Sequence, residues 1–317
     1  MMRTRWKAIG GVVIAGVLAL PAWANAGAAN IPRPGALNYV EGQASIGSQV
    51  LDSKSTGSVT LDSGQVLETQ NGKAEILLTP GIFLRIDSSS AIRMDSPGLA
   101  NTELTLERGR ALVEVGEISK DNNVVIREDN GSARLLKKGL YEFDANAGEI
   151  RVFDGQAEVS ANDMNVKVSG GHLVALNDPK LKSQGFDKKK SEDELYHWAK
   201  LRSSYLAEAN IDAARVYVAG GPGWYGPGWY WDPWFSAYTW IPGAGVLWSP
   251  FGWGFYSPVA IYSAPVFVGG YYRHFSPGYR PLVVPRAGIS QSFGAPRGFA
   301  GGSMRGGVGA GFHGGRR

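Results

Sequence analysis

The residue types that usually carry chemistry are sparse in this chain, and none is spaced for it. Histidine occurs at His172, His197, His274 and His313, with no metal-ligand spacing among them, so no metal site is read from them. Cysteine is absent, which removes thiol nucleophiles, thiolate metal sites and disulfide staples together. The carboxylates that could pair for acid–base work, Glu75, Asp87, Glu103 and Glu114, lie where apolar and polar residues alternate. That alternation assigns them, together with Arg85 and Arg93, to a solvated face. No nucleophile elbow, phosphate loop or dinucleotide fingerprint is present, and Gly306 to Gly311 is low-complexity glycine that follows no predicted strand. The expectation is a non-catalytic protein with no cofactor. What the sequence does concentrate is tryptophan: Trp224, Trp229, Trp231, Trp234, Trp240, Trp248 and Trp253 are seven of its ten. These rings are the candidate binding surface, and three uses are open to them. They could stack on sugars or sit at a lipid headgroup boundary, fold back over the rest of the chain, or self-associate through β-prone aromatic segments.

Such residues need elements to hold them. From Leu37 to about Leu176 apolar and polar residues alternate in short runs broken by turn formers, the two-residue period of half-buried strands. In the clearest run Ala74, Ile76 and Leu78 alternate with Lys73, Glu75 and Leu77. Thr79-Pro80-Gly81 then turns the chain, and Ile82, Leu84 and Ile86 alternate with Phe83, Arg85 and Asp87. Successive strand side chains point to opposite faces, so one face is expected to be buried and the charged one wet. The pattern recurs through Val113, Ile126, Phe143, Val152, Val159 and Val168, with turns at Asn71-Gly72, Asn130-Gly131, Lys138-Gly139, Ala147-Gly148 and Asp154-Gly155. With no helical pattern interleaved, residues 37–176 are expected to form an all-β domain: a sandwich, a roll or a solenoid-like stack.

The order YVEGQASI, SGQVLETQNGKAEILLTPGIFLRIDSSSAIRM, LTLERGRALVEV and LLKKGLYEFDANAGEIRVFDGQAEV resembles the β-domain of the FecR family, named for the periplasmic regulator of ferric citrate uptake. The marks of the likeness are Gly42, Gly64 ahead of Leu67-Glu68-Thr69, the Asn71-Gly72-Lys73-Ala74 turn, the Ser88-Ser89-Ser90 loop, Gly139 and Gly155. The resemblance implies the fold and an envelope location. In a regulator of that type it would also imply a cytoplasmic helical segment that grips a sigma factor. Only seven residues precede the apolar run of this sequence, so anti-sigma activity is not carried over.

Beyond the β-domain the chain changes character. Ser191 followed by Glu194 reads as a capping box, and Leu195, Trp198, Leu201, Tyr205 and Leu206 recur at helical spacing, so an amphipathic helix is expected over 191–214. Packing back on the β-domain is the plain use of that stripe, and docking a partner the sharper one. Residues 220–270 form an aromatic block rich in glycine and proline, whose prolines leave no apolar run long enough for a membrane helix. Residues 271–317 hold arginine, glycine and serine with few apolar residues, the composition of a disordered tail.

Location and charge complete the reading. Arg3, Arg5 and Lys7, the apolar run from Ala8 to Leu20, and Ala24-Asn25-Ala26 have the layout of a secretory signal peptide over residues 1–26, cleaved after Ala26. An uncleaved inner-membrane anchor is the alternative. The 22 basic and 28 acidic residues from Gly27 to Asp232 give that part a net charge of −6, whereas seven arginines and no acid follow from Pro233. An exported chain with this distribution is expected to meet an envelope polysaccharide, a lipid surface or another envelope protein, or its own copies, and not nucleic acid. Three roles follow: an envelope protein for structure, attachment or partner binding; a periplasmic sensory or regulatory module; and a glycan-binding protein or glycan-active enzyme.

Overall fold

A computed structural model of the chain describes residues 32–218, 226–264, 266–268 and 271–273. The expected signal segment, Trp224, His274, His313 and nearly all of the 271–317 segment lie outside the described residues. The strands run, in chain order, β1 (Leu37–Ile46), β2 (Gln49–Leu51), β3 (Val66–Leu77), β4 (Ile82–Ile86), β5 (Ala91–Pro97), β6 (Asn101–Arg108) and β7 (Arg110–Val115). They continue with β8 (Asn123–Glu128), β9 (Gly131–Leu135), β10 (Gly139–Asp144), β11 (Glu149–Asp154), β12 (Gln156–Ala161), β13 (Met164–Ser169), β14 (His172–Ala175) and β15 (Gln184–Gly185). The one α-helix among the described residues, α1 (Glu194–Val218), precedes two hairpins, β16 (Gly228–Asp232) with β17 (Ala237–Ile241) and β18 (Val246–Trp248) with β19 (Gly254–Tyr256). In a separate compact unit that begins at Ser263, β20 (Val266–Val268) pairs with β21 (Tyr271–Arg273).

All of β1 to β15 belong to one 15-stranded sheet that does not close into a barrel. It doubles over at β3, which changes partner halfway along. Val66 to Glu68 pair with β5, and Ala74 to Leu77 pair with β4. One layer is β13-β12-β9-β8-β6-β5 and the first half of β3; the other is the second half of β3 followed by β4-β7-β10-β11-β14-β15. Between the two halves, the loop after β4 fills the gap, with Thr69 N donating to Ser90 O (2.9 Å) and Ser89 N to Gln70 O (2.8 Å). On the other side β1 crosses β3 where Gly42 faces Gly72. A Cβ on either would come within 2.3 Å of the opposing backbone, so this close crossing requires glycine.

The alternating apolar residues fill the space between the layers: Ile76, Leu84, Val113, Tyr141 and Val152 from one side, Ile92, Leu104, Ile126, Ala133 and Val159 from the other. The outward face of the second layer is also buried. Leu77 and Phe83 pack with Leu206, Trp229, Tyr238, Trp240 and Phe255, and Leu112, Leu140 and Phe153 pack with Leu195 and Ala199. The helix and the aromatic hairpins thus form a third layer on the sheet. Trp240 is the largest fully buried side chain, seated against Gly81 and Gly116, where an added Cβ would lie 3.0 and 2.8 Å from its ring. Trp240→Ala is expected to cost about 3–5 kcal/mol, and Gly116→Ala about 1–3 kcal/mol through overpacking, both read by denaturant unfolding.

Candidate functional site

The face expected to be wet is where the structure departs most from the alternation. Glu75 on β3, Arg85 on β4 and Glu114 on β7 are neighbours across the sheet and are fully buried. Asp87 is buried as well, whereas Arg93 and Glu103, on the other layer, remain half-exposed as expected. The reason is the third layer, which brings matching groups to the charged row. Arg85 Nε donates to Glu75 Oε2 (2.7 Å) and its Nη1 to Glu114 Oε2 (2.7 Å). From α1, Arg202 Nη2 donates to Glu75 Oε1 (3.1 Å) and Ser203 Oγ to Glu114 Oε1 (2.7 Å). The Arg202 guanidinium also lies 3.9 Å from the centre of the Tyr39 ring.

Every oxygen of these two carboxylates therefore has a partner. Burial works against the charge on Glu75, but the Arg202 and Arg85 guanidiniums and the hydrogen bonds from Arg202 and Asn38 outweigh it, holding the carboxyl below the ordinary range. Both carboxylates are thereby committed to partners that join the sheet to α1. Two buried asparagines extend the fastening to the hairpins, each pairing with both the N–H and the C=O of one hairpin residue. Asn38 Nδ2 donates to Glu75 Oε1 (2.9 Å) and to Tyr238 O (3.0 Å), while its Oδ1 accepts from Tyr238 N (2.7 Å). Asn210 Nδ2 donates to Trp240 O (2.9 Å) and Tyr256 O (3.0 Å), and its Oδ1 accepts from Tyr256 N (2.7 Å).

The start of α1 is pinned separately. Asp193 caps it, accepting from Tyr196 N (2.9 Å), so the helix begins three residues beyond the serine expected to do so. Arg110 bridges Asp193 to Asp87, and Lys73 bridges Asp87 to Glu194. The buried helix face is also rotated from the expected stripe. It carries Leu195, Ala199, Arg202, Ser203, Leu206 and Asn210, while Leu201 is 50% exposed. Sequence reasoning missed Asn38, Arg202, Ser203 and Asn210. The available signal was the row of small residues Ala199, Ala209 and Ala213, which lets a helix approach a sheet closely.

The candidate tryptophans separate into two groups. Trp229 and Trp240 are buried, and Trp253 is half-buried with Nε1 donating to Lys200 O (3.2 Å). Trp231, Trp234 and Trp248 are exposed, Trp234 at 79%. His172 and His197 are exposed and far apart in the chain, and no cluster of metal-ligating residues exists among the described residues. No described helix is long and apolar enough to cross a membrane.

These features define a doubled-over sheet, antiparallel except where β6 and β8 pair in parallel, with one face sealed by its own helix and hairpins. Residues 65–158 match the family model of the FecR protein, so the chain carries a FecR domain. Two crystal structures of a candidate anti-sigma factor from Parabacteroides distasonis resemble it at 11% and 10% identity, each with a TM-score of 0.35. The matches cover 40% and 55% of this chain, and 62% and 96% of those chains. No curated protein matches the chain.

Two predictions follow from the charges. Arg202→Met leaves Glu75 buried with half its compensation, and unfolding by denaturant is expected to show a loss of about 3–5 kcal/mol. Glu128 shares the inward register of Val124 and Ile126, and neither of its oxygens has a partner. Burial, with Asp144 and Asp129 adding to it, raises its carboxyl from 4.5 to about 8. A raised carboxyl contributes stability that is complete below pH 4.5 and lost as pH rises through about 8. Glu128→Gln should therefore leave Tm unchanged below pH 4.5 and raise it relative to the parent above pH 8. A constant difference between the two proteins across that range would contradict the assignment.

Proposed function

We propose that the chain is an exported, non-catalytic protein of the cell envelope whose FecR domain is a scaffold for attachment or partner binding. The observation that carries this reading is the sealed face: the carboxylates with the most buried surroundings on that face are committed to ion pairs, and the third layer leaves the rings of Trp231, Trp234 and Trp248 exposed. Such a layer fixes the orientation of exposed rings, which is the requirement of a binding surface. Export is supported by the basic, apolar and small-x-small order of residues 1–26.

A second reading, a periplasmic sensory or regulatory module that binds a protein through the β-domain, is supported by the FecR domain itself. The two readings share export. A reporter fused after residue 40 should be active only when it is of the kind that works outside the cytoplasm. Activity of a cytoplasmic reporter at that position would contradict both.

A further inference from the structure

Of the stripe that sequence periodicity assigned to the buried face of α1, Leu195 and Leu206 are buried, but Trp198, Leu201 and Tyr205 lie along its rim. Trp198, Leu201 and Tyr205 follow one another at three- and four-residue intervals, so they share one side of the helix over about 10 Å. Trp198 approaches the Tyr39 ring at 6.2 Å, and Tyr205 approaches Phe235 at 6.5 Å. Phe235 adjoins Trp234 at the turn of the β16–β17 hairpin, and Trp231 of the same hairpin lies over Gly57. The result is a ridge that runs along α1 from Trp198 to Tyr205 and meets the hairpin at Phe235, with Trp234 and Trp231 exposed on the same hairpin.

This ridge is built rather than left over. Asp232 Oδ1 accepts from the backbone N–H groups of Trp234 (2.8 Å) and Phe235 (3.0 Å), and Pro233 fixes the backbone between them. Trp234 is thus presented to solvent from a rigid turn, on a hairpin whose Trp229 and Trp240 are anchored in the third layer. Little conformational entropy remains to be lost when it inserts into something. Rings with an apolar body and a polar edge prefer a boundary that is half wet.

The choice of occupant rests on charge. From Pro233 to the last residue the sequence carries seven arginines, all from Arg273 onward, and no acid or lysine, so the only charge in that part of the sequence is positive. Aromatic insertion by a chain that also carries a cationic segment matches a surface that is apolar beneath and negative at its face. We propose that the ridge formed by Trp198, Leu201, Tyr205, Phe235, Trp234 and Trp231 is a docking surface for a phospholipid bilayer with anionic headgroups. This rests on the reading of an exported attachment protein and names its partner.

The test uses the chain from Gly27 onward, which contains all of the described fold. Its sedimentation is measured with vesicles of phosphatidylcholine alone and of phosphatidylcholine with phosphatidylglycerol. Binding to the anionic vesicles is expected, falling with added salt and at least about tenfold weaker to the neutral ones. The double variant Leu201→Ser, Trp234→Ser should melt like the parent, since these side chains are 50% and 79% exposed. The double variant should partition about tenfold or more less well. Equal binding by parent and double variant would overturn the proposal in favour of the cationic segment alone. Failure of the parent to bind either vesicle, with concentration-dependent dimerisation abolished in the double variant, would assign the ridge to a second copy. Parent protein that fractionates with the envelope in cells but ignores vesicles overturns the lipid assignment and leaves the attachment reading standing. Recovery of the protein from the cytoplasm would sink that reading whatever the vesicles do.

Discussion

Two glutamates and two arginines shut away from water hold the third layer in one alignment. Removing Glu75, Arg85, Glu114 and Arg202 from solvent is costly, and their mutual attraction offsets that cost only while every partner is in place. An apolar patch of equal area would adhere as well or better. What the network adds is a penalty for error: a helix turned by one residue would leave Glu75 without Arg202 and Glu114 without Ser203, each a buried charge short of a partner. The neutral donors share this logic, because Asn38 and Asn210 can satisfy the backbones of Tyr238 and Tyr256 only at one register.

The two small hairpins depend on this arrangement. A pair of strands of three to five residues has too little buried surface to persist alone in water. Here each is closed against a sheet face that supplies Phe83 and Leu77 as apolar partners and Gly81 and Gly116 as a flat seat for Trp240. Those glycines belong to the turn after β3 and the end of β7, so part of the seat is a property of the β-domain's own turns. The exposed rings of Trp231 and Trp234 gain their fixed positions from the same anchoring.

The period of two was legible, and it placed the inner faces correctly: Ala74, Ile76, Leu84 and Ile86 all point into the space between the layers. The outer face was misread because alternation reports which side chains differ from their neighbours, not what lies beyond them. Glu75 and Arg85 look wet until Arg202 arrives from more than a hundred residues away. The helix was legible as an element, but its stripe was chosen by size and hydropathy. Leu201 and Tyr205 were favoured over Arg202, Ser203 and Asn210, which are polar and yet buried because the first two meet carboxylates and the third meets hairpin backbone. Likewise, nothing in the spacing of the tryptophans separates Trp240, which is buried, from Trp234, which is not. That difference comes from strand register and the turn at Asp232-Pro233.

The most direct test of the sealed face is hydrogen exchange at the amides of Tyr238 and Tyr256, each held by an asparagine side chain from another element. The account predicts that both exchange only through global unfolding, at the rate of the slowest amides in β3 and β4. Rapid exchange of both while β3 and β4 stay protected would mean that the hairpins lift freely from the sheet, and that the buried charge network does not hold them.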